Sequence, residues 1–535
     1  MTNVGDYAST YASFDWRTPE RFNFGRDVVD RWAAQDRPAM IWLGHNGEER
    51  RLDFNRFSVL SNRFANAAGN LGIERGDRVM VLLGKVPEWH IVLTALLKLG
   101  AIAIPCAPQL RANDLQFRAE HSGSVAMLSG PEGFAEVEKM RAESELPTLQ
   151  YFVALGEERD GWESFERLMA GASGDYAAED TSSEDGAFIL YTSGTTKHPK
   201  GVLHTHAYTH AKWMQAKYWL DLREGDRLWC TSGTGWAKSI WNVFLGPWSQ
   251  GTEIFVHEGG FDPTERLDLI ERYGITVLCQ APTEYRLLAK DSELERANLS
   301  SIRHAVSAGE PLNPPVIERW KGLHGLTIHD GYGQTENTLL VANYPGLTVR
   351  PGSMGKPSPG CDVKVVNMEG EECPPDEPGD IALAGRIPCL FREYWEQPDA
   401  TELAFRNGLY LTGDRAYRDA DGYLWFVGRS DDVILSASYR IGPFEVESVL
   451  IEHPAVVESA VVPAPDEDRG SVVKAYVVVG KDYEPSDALA KDIQEYCKAH
   501  TAPYKYPRRI EFIPDLPKTT SGKIRRVELR QREQV

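Results

Sequence analysis

Residues 191 to 201 read YTSGTTKHPKG, and these residue types suit the binding of an anion. Glycine lets a backbone approach a ligand closely, here at Gly194. Successive N–H groups, with the hydroxyls of Thr192, Ser193, Thr195 and Thr196, can form a nest for phosphate oxygens. Lys200 adds a point charge. The spacing GxxxxGK[ST] is absent, so this is not a Walker-type loop. A plain turn rich in glycine and hydroxyl residues is the competing reading.

Five further clusters combine charge, hydroxyl and glycine: SAGEPL (Ser307–Leu312), GYGQTE (Gly331–Glu336), YLTGD (Tyr410–Asp414), GRSDD (Gly428–Asp432) and PKTTSGKIRR (Pro517–Arg526). Each has a plain reading when taken alone. Thr335-Glu336 would cap a helix N-terminus, Asp414 would sit in a β-turn and Arg429 would form a surface ion pair. Tyr332 would be core packing and Lys523 a solvated lysine. His204, His206 and His210 have a spacing that can bind zinc. They lack a nearby carboxylate or cysteine, so a strand end followed by a helix start is the preferred reading.

Such residues need a rigid frame. From about residue 75, short apolar runs alternate with helical segments: Arg78–Gly84, Ala101–Ala107, Ser124–Leu128, Gln150–Leu155, Ala187–Thr192, Glu253–Glu258, Ile275–Gln280 and Ile302–Ala308 read as strands. The alternation predicts parallel sheets covered by helices, with ligands at the carboxyl ends of strands. Near Gly352 the pattern turns to hairpins, one with an Asp421-Gly422 turn. A smaller α+β unit follows, with helices at 444–452 and 487–500 and strands at 457–462 and 472–479. The fold class is therefore α/β: a large N-terminal lobe, residues 1–430, of parallel-sheet subdomains plus a β-rich one. A small α+β C-terminal lobe spans residues 431–535.

The chain has 535 residues, 42% hydrophobic and 25% charged, with a net charge of −20. That composition fits a globular protein with ample core and argues against an extended nucleic-acid surface. Seven cysteines without a CxxC pair fit a reducing compartment. The longest apolar stretch, 91–107, is interrupted by Lys98 and Pro105, so no membrane span is expected. A cytoplasmic location is the expectation, with the oligomeric state, monomer or homodimer, left open.

The six motifs, in this order, resemble those of the adenylate-forming superfamily of acyl-CoA synthetases, adenylation domains and luciferases. YRIGPFEVE (Tyr439–Glu447) and TAPYKYPR (Thr501–Arg508) are similar to the medium-chain acyl-CoA synthetase branch. The resemblance implies a carboxylic acid, ATP, Mg²⁺ and coenzyme A as reactants and cofactors. The acid, medium-chain fatty or small aromatic, would become an acyl-adenylate with release of pyrophosphate, then an acyl-CoA with release of AMP. It puts Thr335 on the α-phosphate, Glu336 on Mg²⁺, and Asp414 and Arg429 at the ribose. Gly309, Glu310 and Pro311, with Tyr332, match the adenine pocket, and Gly331, Gly333 and Gln334 join them in binding the cofactors. Lys523 matches a mobile lysine that bridges the acid and the α-phosphate. Asp431 would be the hinge that moves the small lobe, and Arg440, Arg469 and Lys498 would meet phosphate and coenzyme A.

Gly333 stands where acetate-specific relatives carry a tryptophan, which implies room for a longer or aromatic acid beside Trp236, with a tight turn as the competing reading of the same glycine; Thr338, replacing a glycine, would narrow the room. Lys197 replaces a glycine of the phosphate loop, and Ala437 and Ser438 replace Ser-Gly beside the expected thiol tunnel. Two alternatives remain at this level. One is delivery of the acyl group to a carrier protein, or a halt at the adenylate; the other is a non-catalytic ligand-binding homologue.

Overall fold

The computed structural model describes residues 2–192, 199–429, 432–436, 439–466, 470–502, 504–519 and 523–533. Ser193, Gly194, Thr195, Thr196, Lys197, Asp431, Ala437, Ser438 and Arg469 lie outside the described residues, as does the side chain of Arg440.

Two sheets with parallel cores carry the large lobe. In one, Ala126–Ser129, Arg78–Leu82 and Ile102–Pro105 lie side by side in parallel. The unit that builds it is legible residue by residue. Pro87 starts the helix Pro87–Leu99, where its missing N–H costs nothing, and Gly100 ends it in the left-handed region at φ +72°. The chain then runs directly into Ile102–Pro105, which pairs parallel with Arg78–Leu82, the kind of crossover that is right-handed in nearly all proteins.

The second sheet joins Glu253–His257, Arg227–Cys230, Val277–Gln280, His304–Ala308 and Ile328–Gly333 in parallel. Beyond Ile328–Gly333 it changes hand of pairing. Leu339–Ala342 and Ser353–Pro357 add antiparallel, and through Leu424–Arg429 and Leu409–Arg418 the β-rich subdomain continues the same sheet. The expected hairpin around Asp421-Gly422 is present as Leu409–Arg418 with Leu424–Arg429.

Three features differ from the sequence reading. The strand Gly186–Thr192 is followed by the strand Lys200–Thr205, of which only the end at His204 was expected and which pairs with it antiparallel. The first hairpin proposed after Gly352 is reduced to a single bridge from Val366 to Glu372, because Asp362–Val366 takes Gly379–Ala384 as its partner. Before residue 75, Pro38–Leu43 docks parallel on Glu253–His257, a pairing that local patterning cannot announce.

The small lobe packs Val456–Asp466, Gly470–Val479 and Arg509–Phe512 against helices Pro443–Glu452 and Asp487–His500. Phe444 packs edge-on against Phe426 of the large lobe, and polar contacts join the two lobes as well. Asn313 Nδ2 donates to Ser448 Oγ at 3.1 Å, and Lys290 Nζ donates to the Val456 carbonyl. Next to the expected hinge, buried Asp432 pairs with Arg530.

Candidate active site

The site forms where the strands of the second sheet end and its β-rich extension begins. Ile328–Gly333 delivers Tyr332, and the turn after it carries Gln334, Thr335 and Glu336. That turn is tight because a side-chain carbon on Gly333 would lie 2.0 Å from the Thr338 carbonyl oxygen. Thr335 and Glu336 therefore sit in a turn, not at a helix N-terminus. Asp414 lies within the strand Leu409–Arg418, directly opposite Arg429, instead of in a β-turn.

Asp414 is the centre of a polar cluster. Tyr332 donates its hydroxyl to Asp414 Oδ2 at 2.6 Å, and Gln334 Nε2 donates to the same oxygen at 2.8 Å. Tyr410 fixes the amide by donating to Gln334 Oε1 at 2.9 Å. Burial raises the Asp414 carboxyl, while Tyr332, Arg429, Lys523 and Gln334 work in the opposite direction. Lys523, an exposed residue of the small lobe, therefore acts electrostatically on the cluster. Its own loop is closed by a bond from the Thr519 N–H to the Lys523 carbonyl at 2.7 Å.

Glu336 accepts the Tyr394 hydroxyl at 2.9 Å, and the Lys200 ammonium lies 4.4 Å from the Tyr394 ring centroid. Burial raises the Glu336 carboxyl, opposed by its own backbone N–H, by Tyr394 and by Lys200. The Thr335 hydroxyl has no hydrogen-bond partner among the described residues. Gly309 turns at φ +112°, and Glu310 pairs with Arg286 at 3.1 Å.

Asp330 is a residue the sequence reading passed over, since aspartate before glycine reads as turn chemistry. It is buried, its Oδ1 has no partner among the described residues, and its Oδ2 accepts the Leu312 N–H at 3.4 Å. Burial pushes its carboxyl up to about 7. Tyr394 was also missed; only its aromatic character near Glu393 could have signalled it.

Other expected residues fall away from this cluster or serve neighbours. Lys498 pairs with Glu495 on its own helix and lies 4.8 Å from the Tyr506 ring. Thr338 is buried and its hydroxyl donates to Gln215 Oε1 at 2.6 Å. Trp236 is half-buried against the cluster that contains Tyr191. A narrow cavity at the ends of Arg227–Cys230 and Glu253–His257, lined by Lys85, Trp229 and His257, includes none of the expected site residues. His204 ends a strand and His206 starts a helix, as expected. No group of three or more His, Cys, Asp or Glu residues able to hold a metal occurs among the described residues.

A two-lobed α/β architecture with this cluster between the sheet and the small lobe defines an adenylate-forming enzyme. The chain matches the AMP-binding enzyme family over residues 29–395 and the AMP-binding enzyme C-terminal domain over residues 445–523. Mouse acyl-coenzyme A synthetase ACSM3, mitochondrial, is 44% identical, covering 100% of this chain and 94% of the relative. The acyl-CoA ligase YtcI of Bacillus subtilis is 44% identical, covering 97% of this chain and 98% of the relative. Among solved structures, the anthranilate CoA ligase AuaEII in complex with anthranoyl-AMP superposes with a TM-score of 0.90 at 32% identity, covering 96% of this chain and 98% of that one. A benzoate CoA ligase from Burkholderia xenovorans LB400 gives 0.85 at 27% identity, covering 95% and 100%. The chain belongs to the AMP-binding enzyme family, close to its medium-chain acyl-CoA synthetases, and is an AMP-forming acid–thiol ligase.

Proposed function

We propose that this ligase acts on a medium-chain fatty or small aromatic acid, in two half-reactions at one phosphate. A substrate carboxylate oxygen attacks the α-phosphorus of ATP and pyrophosphate leaves; the thiol of coenzyme A then attacks the acyl carbonyl, and AMP leaves. The observation that carries the reading is the Asp414 carboxylate, held by Tyr332 and Gln334 in the field of Lys523. Two acceptor oxygens suit a ribose diol. The neighbouring lysine supplies the cation that two approaching anions require.

Thr335 offers its hydroxyl to the α-phosphate. Glu336 is a hard oxygen donor beside a turn of hydroxyls and amides, which fits Mg²⁺ held by one carboxylate together with substrate phosphates. When bound, the ion neutralises charge on the departing pyrophosphate. Lys200, stacked near Tyr394, stands at the end of the phosphate loop. Gly309, Glu310 and Pro311 line the adenine side, and Asp330 has an unfilled acceptor there for an exocyclic amine. Arg440, Arg469 and Lys498 are assigned to coenzyme A. The acid class is supported by the names of the relatives, which include acyl, anthranilate and benzoate ligases. Seven buried cysteines, none in a disulfide among the described residues, favour a reducing compartment such as the cytoplasm.

The test is to measure pyrophosphate and acyl-CoA with a panel of aliphatic acids and benzoates, with and without coenzyme A. At least one six- to twelve-carbon acid or benzoate is expected to release pyrophosphate and, when coenzyme A is supplied, to yield its thioester. Pyrophosphate release without any thioester would favour the carrier-protein reading, and no release with any acid would remove the site assignment.

A further inference from the structure

The segment from His204 to Gln215 follows the phosphate loop and contains side chains that the reaction above leaves without a task. Lys212 is wholly buried. It has no carboxylate partner among the described residues. Its ammonium lies 3.7 Å from the ring centroid of Tyr208 and 4.8 Å from that of Trp241. Among the described residues, its one backbone acceptor is the Asn337 carbonyl, at 3.3 Å. His204 is buried as well and stacks on Tyr208 with ring centroids 3.8 Å apart. Its Nε2 faces the Thr335 carbonyl at 2.7 Å, so Nε2 carries the proton and donates. Gln215 accepts the Thr338 hydroxyl at 2.6 Å and donates to Asn242 Oδ1 at 2.7 Å.

Three residues of one segment thus hold three of the four residues in the turn 335–338. The fourth, Glu336, gives its carbonyl to the Phe391 N–H at 2.7 Å. A lysine buried without a counter-charge is costly, and an apolar side chain of the same length would pack there without that cost. Such expense is common beside functional groups that must be held in a fixed geometry. The strand Lys200–Thr205 adds the connection, because it carries Lys200 at the phosphate loop at one end and His204 near the other.

We propose that His204, Lys212 and Gln215 are positioning residues. They hold the carbonyls and inner hydroxyl of the turn 335–338, so that Thr335 and Glu336 meet the α-phosphate and its ion in register with the phosphate loop. The aiming role rests on the assignments of Thr335 and Glu336 made above; the anchoring itself does not.

Four variants test it: Lys212→Met, His204→Leu, His204→Asn and His204→Gln. Glutamine puts an amide N–H near the Nε2 position and asparagine near Nδ1, so only glutamine can restore the bond to Thr335. Each is assayed for kcat and for the KM of ATP in pyrophosphate release. Hydrogen–deuterium exchange of the amides in 334–340 is followed in the ligand-free protein. Lys212→Met, His204→Leu and His204→Asn are expected to lower kcat about tenfold or more, with the KM of ATP within about threefold and faster exchange in the turn. His204→Gln is expected to recover to within about threefold of the wild type. If the Leu and Met variants do not fold, the Gln and Asn pair decides. Equal behaviour of Gln and Asn, or unchanged exchange in every folded variant, would overturn the anchor. Faster exchange with unchanged kcat would overturn the aiming role. A wild type that releases no pyrophosphate would contradict the site assignment instead, and exchange would still decide the anchor.

Discussion

Burial pushes the carboxyls of Asp414 and Glu336 upward, and in each case hydroxyl, amide and cationic neighbours pull them back. At Asp330 burial is opposed only by the backbone amides of Gly331 and Leu312 and by Lys238, and its carboxyl reaches about 7 from the usual 3.8. A carboxyl raised on folding adds stability only while protonated. The contribution is complete below about pH 3.8 and is lost as the pH climbs through about 7. Asp330→Asn removes that loss. The variant should therefore unfold at a higher temperature than the wild type at pH 8, by up to roughly 4 kcal/mol in stability, with the gap closing towards pH 4. Thermal melts of the ligand-free protein at pH 4, 6 and 8 check this; a gap independent of pH would contradict it. Asp414, Glu336 and Thr335 were singled out in the sequence only through the resemblance that their motifs carry; read alone, each had a plain structural reading. Asp330 and Tyr394 were not singled out, since burial and an unfilled acceptor are properties of the fold. The same holds for His204 and Lys212, whose acceptors lie more than a hundred residues away.

The decisive element is the turn after Ile328–Gly333. Its closure depends on a residue without a side chain, because a carbon at 333 meets the backbone oxygen of Thr338. Sequence reasoning left two readings of this glycine, space for the acid or a tight turn, and the structure supports the turn. Gly333→Ala should cost roughly 1–3 kcal/mol in a urea titration and slow pyrophosphate release with short and long acids alike. A stable variant that loses only the longer acids would instead favour the pocket reading. At this scale the helices and parallel strands were well marked, since Pro at a start and Gly at an end are local signals. The strand Pro38–Leu43 was missed, and of Lys200–Thr205 only the end at His204 was expected. The first finds its partner two hundred residues on, and the second is hidden by the glycine-rich loop that precedes it.

For the whole molecule, the composition and the order of motifs implied two lobes, and the structure has the small lobe's Lys523 acting on Asp414. The contacts beside it are mixed: Asn313 to Ser448 and Lys290 to the Val456 carbonyl are polar, and Phe426 meets Phe444 edge-on. The polar ones among them can be exchanged for water at low cost, as the expected turning of the lobe between half-reactions would require. A large apolar interface would have locked it. Among the described residues, no helix is long and apolar enough to cross a membrane.

The account depends on one lysine being needed for one half-reaction and dispensable in the other. The most direct measurement is Lys523→Ala, assayed separately for pyrophosphate release from ATP plus acid and for thioester formation from supplied acyl-adenylate plus coenzyme A. Pyrophosphate release should fall by about a hundredfold or more while thioester formation stays within about threefold of the wild type. An equal fall in both half-reactions, or no fall in either, would contradict it.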